Sequence, residues 1–284
     1  MTPTGIRLPT DHRAPARMTN SGRSLGAPAV VASCLALVVL LSAGGAWALD
    51  VFTLWRQPEA PLRIEVGSRV DYQGTSIETG RRRTEALRIQ CVDRTDAAWL
   101  IEILPLEWLD GTPVPMPGRG LRLTVDQRLA DRSGNLIDHV LKVEQWDDGV
   151  HTELPPEQWR DDPLASAFLD SGFVPDTTEA QGSTTRVVDE IDLLCAQFTL
   201  TAGDTTHIAL PHGEMIQIHT REVSVAVHAD VPFLGLAYAA ERAETRSELV
   251  PAGRRSPPPP SMTVEIMELI DFGEDAVSAF VGLE

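Results

Sequence analysis

Apolar and polar residues alternate with a repeat of two through most of the chain after its first 60 residues. "RIEVGSRVDYQGTSIET" alternates around Gly67, "TEALRIQCVDR" follows, and "AAWLIEILPLEWLDG" sets Trp99, Ile101 and Ile103 on one side before Pro105 breaks the run. Turn signals separate these segments: "QGT", "ETGRRR", "DRTD" and "LDGTPVPMPGRG". Next, "GLRLTVDQRLAD" and "LIDHVLKVEQW" flank "RSGN", the pattern of a hairpin with glycine and asparagine at its tip. The same texture returns in "STTRVVDEIDLLCAQFTLTAG", in "THIALPHGEMIQIHTREVSVAVHADVPFLGLAYAAERAETRSELV" and in "MTVEIMELIDFGEDAVSAF". Short alternating strands at this spacing predict an antiparallel sheet or barrel.

Two stretches depart from the pattern. "LPPEQWRDDPLASAFLDSGFVP" has prolines early, Leu164, Phe168 and Leu169 at helical spacing and Gly172 as a stop, which predicts a short helical segment covering the sheet, with Trp159 and Phe168 on its buried face. "PAGRRSPPPPSM", residues 251–261 and Met262, contains a proline run that favours an extended conformation. It reads as the extended tip of a hairpin between the strand around Glu241 to Glu248 and the strand around Val264 to Ile270. In the closing "MELIDFGEDAVSAF" the acids fall on both parities, so they do not converge as a catalytic pair would. Asp271, Glu274 and Asp275 read as solvated turn acids ahead of a short helical or extended tail from Ala276 to Phe280.

Residues 1–48 read as an export signal. Arg7, Arg13, Arg17 and Arg23 precede the apolar run "APAVVASCLALVVLLSA", and small Ala46 and Ala48 place the expected cleavage after Ala48. Met18 offers a shorter start to the same leader. Two other readings stay open: Ala27 to Ala48 is long enough for a bilayer anchor of about 20 residues, and "VASC" ending at Cys34 has the shape of a lipoprotein cleavage box, although "LALVVLL" follows that cysteine. The expected location is periplasmic or secreted, and the remaining 236 residues (49–284) form one β-rich domain with no membrane span.

Without residues 1–48 the chain has 20 basic and 40 acidic residues, a net charge of −20. Such a surface repels a phosphate backbone and an anionic membrane, so nucleic acid is excluded as a partner. Cys91 and Cys195 remain, sharing parity with Leu87 and Ile89 and with Ile191 and Leu193, so both point at apolar faces. An oxidising compartment then predicts a buried disulfide between two strands, with two buried free thiols as the alternative.

Catalytic chemistry finds little support in the residues. There is no Gly-x-Ser-x-Gly elbow, no Ser-x-x-Lys and no phosphate loop. His207, His212, His219 and His228 lack the tight spacing of zinc ligands, and the Asp-x-Asp-x-Asp-Gly calcium pattern is absent, so no metal or other cofactor is expected. Adjacent acids such as Asp147 with Asp148, Asp161 with Asp162 and Glu274 with Asp275 point to opposite sides of an extended chain.

Read together, "GSRVDYQGTSIET" (Gly67, Val70, Tyr72), the segment Val231, Pro232, Gly235 and Leu236, and the closing Phe272 and Gly273 resemble the periplasmic lipoprotein-carrier (LolA-like) superfamily and its exported relatives. The resemblance spans most of residues 63–282. It implies a half-open, strongly curved antiparallel barrel whose concave face is covered by helical segments and holds acyl chains. Trp99, Ile101, Ile103, Leu106, Trp108 and Leu234 are the candidates to line such a cavity, with Trp159 and Phe168 in the lid. A solid core built from the same side chains is the competing expectation. Two departures weigh against direct transfer: Val225, Val227 and His228 stand where many relatives carry tryptophan, and the proline-bearing stretch is an insertion. The functional expectation is an exported, non-enzymatic binding protein of the bacterial envelope for acyl chains or lipoproteins, or else an envelope interaction protein with a solid core and a protein partner.

Overall fold

The computed structural model describes Trp55 and residues 60–78, 80–134, 136–160, 175–211, 213–250 and 256–280. The segment read as an export signal, residues 1–48, lies outside them, as do Phe168 and residues 251–255. The described residues form one twelve-stranded, curved antiparallel sheet that does not close, in the order β7-β6-β5-β3-β2-β1-β12-β11-β10-β9-β8 with β4 on β3. In chain order the strands are β1 (Arg69–Glu78), β2 (Arg81–Arg94), β3 (Ala98–Leu109), β4 (Thr112–Pro115), β5 (Gly120–Asp126), β6 (Val140–Asp147), β7 (Val150–Leu154), β8 (Thr177–Val188), β9 (Ile191–Leu210), β10 (Gly213–Val227), β11 (Leu236–Val250) and β12 (Ser261–Gly273). No helix among the described residues is long and apolar enough to cross a membrane.

The first and last strands of the chain, β1 and β12, pair at the middle of the sheet. β12 pairs with β11 from Tyr238↔Glu268 to Thr245↔Ser261 and with β1 from Arg69↔Gly273 to Glu78↔Thr263. The proline run thus sits in the connection of the β11–β12 hairpin. Cross-strand register carries one row inward: Val70, Ile89, Ile103 and Leu121 stand opposite one another on β1, β2, β3 and β5. Tyr72 donates its hydroxyl to the Leu236 carbonyl at 3.0 Å, reaching from β1 past β12 to β11, as strong curvature requires.

The main core fills this concave side with Tyr72, Trp99, Ile101, Val223, Val225, Met267 and Leu269, all buried. Trp55, on the N-terminal side of the first strand, enters the same core at 1% exposure and donates its indole N–H to the Leu129 carbonyl at 3.1 Å. Each such side chain contributes roughly 1.5–3 kcal/mol by leaving water.

Several sequence expectations change. The β5–β6 connection is no tight hairpin: Gln127–Asp131 and Leu136–His139 are 3-10 turns, the first capped by the Asp126 carboxylate accepting from the Arg128 N–H at 2.9 Å. Leu129, Ile137 and His139 are buried by those turns, so burial overrides strand alternation there. "TPVP", read as part of a turn, is strand β4, and "VHTEL" is strand β7. Of the expected helical segment the described residues hold the single turn α1 (Pro156–Trp159), and residues 161–174 lie outside them. The disulfide expected between Cys91 and Cys195 is absent: both are buried free thiols, each donating to a backbone carbonyl two residues away at 3.6 Å. β2 and β9 stand five places apart in the sheet, whereas a disulfide needs Cβ atoms about 4 Å apart. Burial pushes the Cys91 thiol up to about 11, which disfavours the thiolate.

Candidate functional site

The candidate cavity residues do not gather around one space. Trp99 and Ile101 are buried in the main core, and Leu234 packs partly exposed against it. Trp159 belongs to a second cluster with Leu121, Ile137, Val140, Val143 and Leu154, and Ile103 packs against that cluster. Trp159 donates its indole N–H to the Leu154 carbonyl at 3.1 Å, so α1 is clamped on the sheet. Leu106 and Trp108 share parity with Glu102 and Leu104, so alternation turns them to the convex side, where Trp108 is 50% exposed. An open cleft of about 370 Å³ lies among Arg63, Asp230, Pro232, Phe272, Gly273 and Glu274, and none of the described candidates lines it.

The convex side holds polar chemistry that the sequence reading passed over. Arg69, Gln90, Glu102, Arg122, Glu144 and Glu153 stand directly opposite one another across β1, β2, β3, β5, β6 and β7. The chain after β12 runs over this row as an extended strap. Asp275 accepts from Arg69 Nε at 2.6 Å, and the Val277 carbonyl accepts from Gln90 Nε2 at 2.9 Å. Ser278 Oγ and the Ala279 N–H donate to Glu102 at 2.7 and 3.0 Å. Glu102 is fully buried and also accepts from Arg122 Nη2 at 3.1 Å and Gln90 Nε2 at 2.9 Å. Phe280 ends the strap stacked on Trp146, with ring centroids 3.9 Å apart and the Arg122 guanidinium 5.1 Å from the indole centroid.

Of the two forms expected for the closing tail, residues 274–280 take the extended one. Its acids are not merely solvated: Asp271 and the largely exposed Asp275 are ion-paired to Arg69, each at 2.6 Å. The Arg69 hydrogen bond holds the Asp275 carboxyl below the usual carboxylate range. A legible signal was present: each of Gln90, Glu102 and Arg122 is the lone polar residue in "IQC", "LIEIL" and "LRL", flanked by apolar residues on both sides.

The sheet ends in two edge strands, β7 and β8. Among the described residues β8 pairs with β9 alone, and nine of its twelve residues are exposed. Its register shifts between Ala180 and Gly182, and a bulge of this kind blunts an edge by bending it. Ser183 to Val188 continue past the bulge in unbroken register with Ala196 to Ile191. This half reads "STTRVV", with a single charge, in a chain dominated by acids. Beside it Val187, Ile191 and Leu194 are 69%, 50% and 66% exposed. Arg186 lies over the Tyr238 ring, 3.7 Å from its centroid, which anchors the edge to β11. Unpaired N–H and C=O groups beside exposed apolar side chains are what an added strand recognises.

No family model matches the chain, and no curated protein does. Among solved structures it is similar to a DUF1329 family protein from Desulfovibrio piger ATCC 29098, at 10% identity over 84% of this chain and 95% of that one, with a TM-score of 0.28. MucB in complex with MucA(peri) shows 9% identity, covering 81% of this chain and 98% of that one, with a TM-score of 0.12. The Pseudomonas aeruginosa MucA/MucB complex shows 10% identity and a TM-score of 0.11 at the same coverage. At such scores no residue role, ligand or partner is carried over from these structures.

Proposed function

We propose that this chain is an exported, non-enzymatic interaction protein of the bacterial cell envelope, which binds an extended segment of a protein partner along Ser183 to Val188 of β8. The observation that carries this reading is the contrast between its two apolar regions. Its concave face is packed with its own side chains, Trp55 included, while Val187, Ile191 and Leu194 project beside an unpaired edge. The leader-like residues 1–48 support export, and the strand motifs that resemble lipoprotein carriers support an envelope role. Acyl-chain or lipoprotein binding, the finer expectation from that resemblance, needs an apolar space of several hundred Å³. The described candidates for its lining are spread over both sides of the sheet instead.

A photo-crosslinking residue in place of Thr185, introduced in the bacterial host, tests the edge directly. One dominant protein adduct is expected, reduced at least fivefold when Val187→Pro removes an edge N–H or when Leu194→Lys charges the flank. Adducts scattered over many proteins, or an adduct untouched by both substitutions, would contradict the edge as the binding surface.

A further inference from the structure

At the far end of the concave side the apolar core gives way to charge. Glu241 on β11 and Glu265 on β12 stand directly opposite each other in register, and each is only 7% exposed. Like charges in opposed cross-strand positions repel, and burial strengthens the repulsion. Glu241 accepts on both carboxylate oxygens from Arg221 of β10, through Nε and through Nη2, the latter at 2.7 Å. Among the described residues Glu265 Oε2 is buried without a hydrogen-bond partner. From β1, Ser76 faces Glu265 and Glu78 adds negative charge nearby; from β2, Arg83 stands opposite Ser76 and pairs with Glu85 at 2.6 Å.

We infer that Glu241 and Glu265 form a proton-dependent latch on the β11–β12 hairpin, engaged when one proton is shared between the facing carboxyls and released when that proton is lost. In the engaged form the protonated Glu265 donates to a remaining lone pair of Glu241, so both acids are satisfied together. In the released form two buried anions face each other across the hairpin. Beyond them β11 and β12 are held to each other by four further register pairs, Arg242↔Val264 to Thr245↔Ser261, before the proline-bearing connection begins. The far end of the hairpin is therefore the part set to loosen.

The sign follows from the groups present. Burial first, and the Glu241 charge second, push the Glu265 carboxyl up to about 7, with Arg221 opposing. The folded state thus takes up a proton that the unfolded state, with an ordinary glutamate, releases near pH 4.5. The latch is engaged below about pH 7, and its contribution to stability falls as the pH rises from the unfolded to the folded value.

Amide hydrogen exchange of the full chain at pH 6 and pH 8.5, corrected for the intrinsic rate, reads the latch. The Ala243, Glu244 and Thr263 amides should lose about tenfold in protection at pH 8.5 relative to β3 and β5 amides, and Glu265→Gln should remove that difference. A wild-type protein without the local change, or a Glu265→Gln variant that keeps it, would overturn the latch. Carboxyl-carbon NMR gives a second readout that needs no loosening: the Glu265 signal, identified by its disappearance in Glu265→Gln, should titrate near pH 7. Titration between pH 4 and 5 would also overturn it. Neither readout depends on the β8 edge, so the binding proposal and the latch fail separately.

Discussion

Glu102→Ala should lower the unfolding free energy by about 4 kcal/mol, the range seen when one partner of a buried ion pair is removed, as read from urea denaturation followed by tryptophan fluorescence. Glu102 is fully buried, and its carboxylate accepts from Arg122, Gln90, Ser278 and the Ala279 amide. Removing it leaves a guanidinium that is only 9% exposed beside several orphaned donors. Glu107→Ala on the same strand, at an exposed position, should cost less than about 0.5 kcal/mol. The double variant Glu102→Ala with Arg122→Ala should cost clearly less than the sum of the two single changes, because each removes the charge that strands the other. Additive costs, or a loss below about 1 kcal/mol for Glu102→Ala, would show that the strap and the polar row do not act as a unit.

Phe280→Ala should cost about 3–4 kcal/mol, the scale of a buried phenylalanine lost from a packed site. Phe280 is fully buried in a small cluster with Leu104 and Trp146 and holds the far end of the strap. The fit is tight on every side: a Cβ added at Gly120, whose φ is +145°, would come within 3.0 Å of the Phe280 ring and 2.7 Å of the Ile103 carbonyl. Losing the ring therefore frees the strap from β6 inward, where Arg122 meets Ser278 and Glu102 meets Ala279. Hydrogen exchange should show the Ala279 amide opening first in Phe280→Ala, with Ala276, bound to the Gly67 carbonyl at 2.8 Å, still protected. Equal loss along the whole strap would mean that Phe280 is no terminal anchor.

The alternation from Arg69 to Leu109, the β11–β12 hairpin and the pairing of the last strand were legible because strand faces repeat every two residues and turn chemistry marks their ends. What escaped was whatever depends on the second face of a strand. Trp108 joined the cavity candidates with Trp99 because both are large and apolar, yet an odd separation of nine residues places them on opposite sides. Glu102 was passed over because acids are abundant in this chain, although its position inside "WLIEILPL" leaves it no wet face. The tail from Ala276 to Phe280 carries no periodic pattern at all; a strap is defined by what lies beneath it, and that comes from residues far earlier in the chain, from Arg69 to Trp146. The facing of Glu241 and Glu265 likewise depends on register, which single-strand patterns leave open.

Native mass spectrometry of the protein purified from a bacterial envelope tests the central claim most directly, because a concave face filled by its own side chains and one holding an acyl chain differ by a whole ligand. The mass of the polypeptide without a non-covalent adduct is expected, with no stoichiometric acyl species in the organic extract. A reproducible one-to-one acyl adduct that leaves on extraction would contradict the account and return Trp99, Ile101 and Ile103 to the wall of a lipid site.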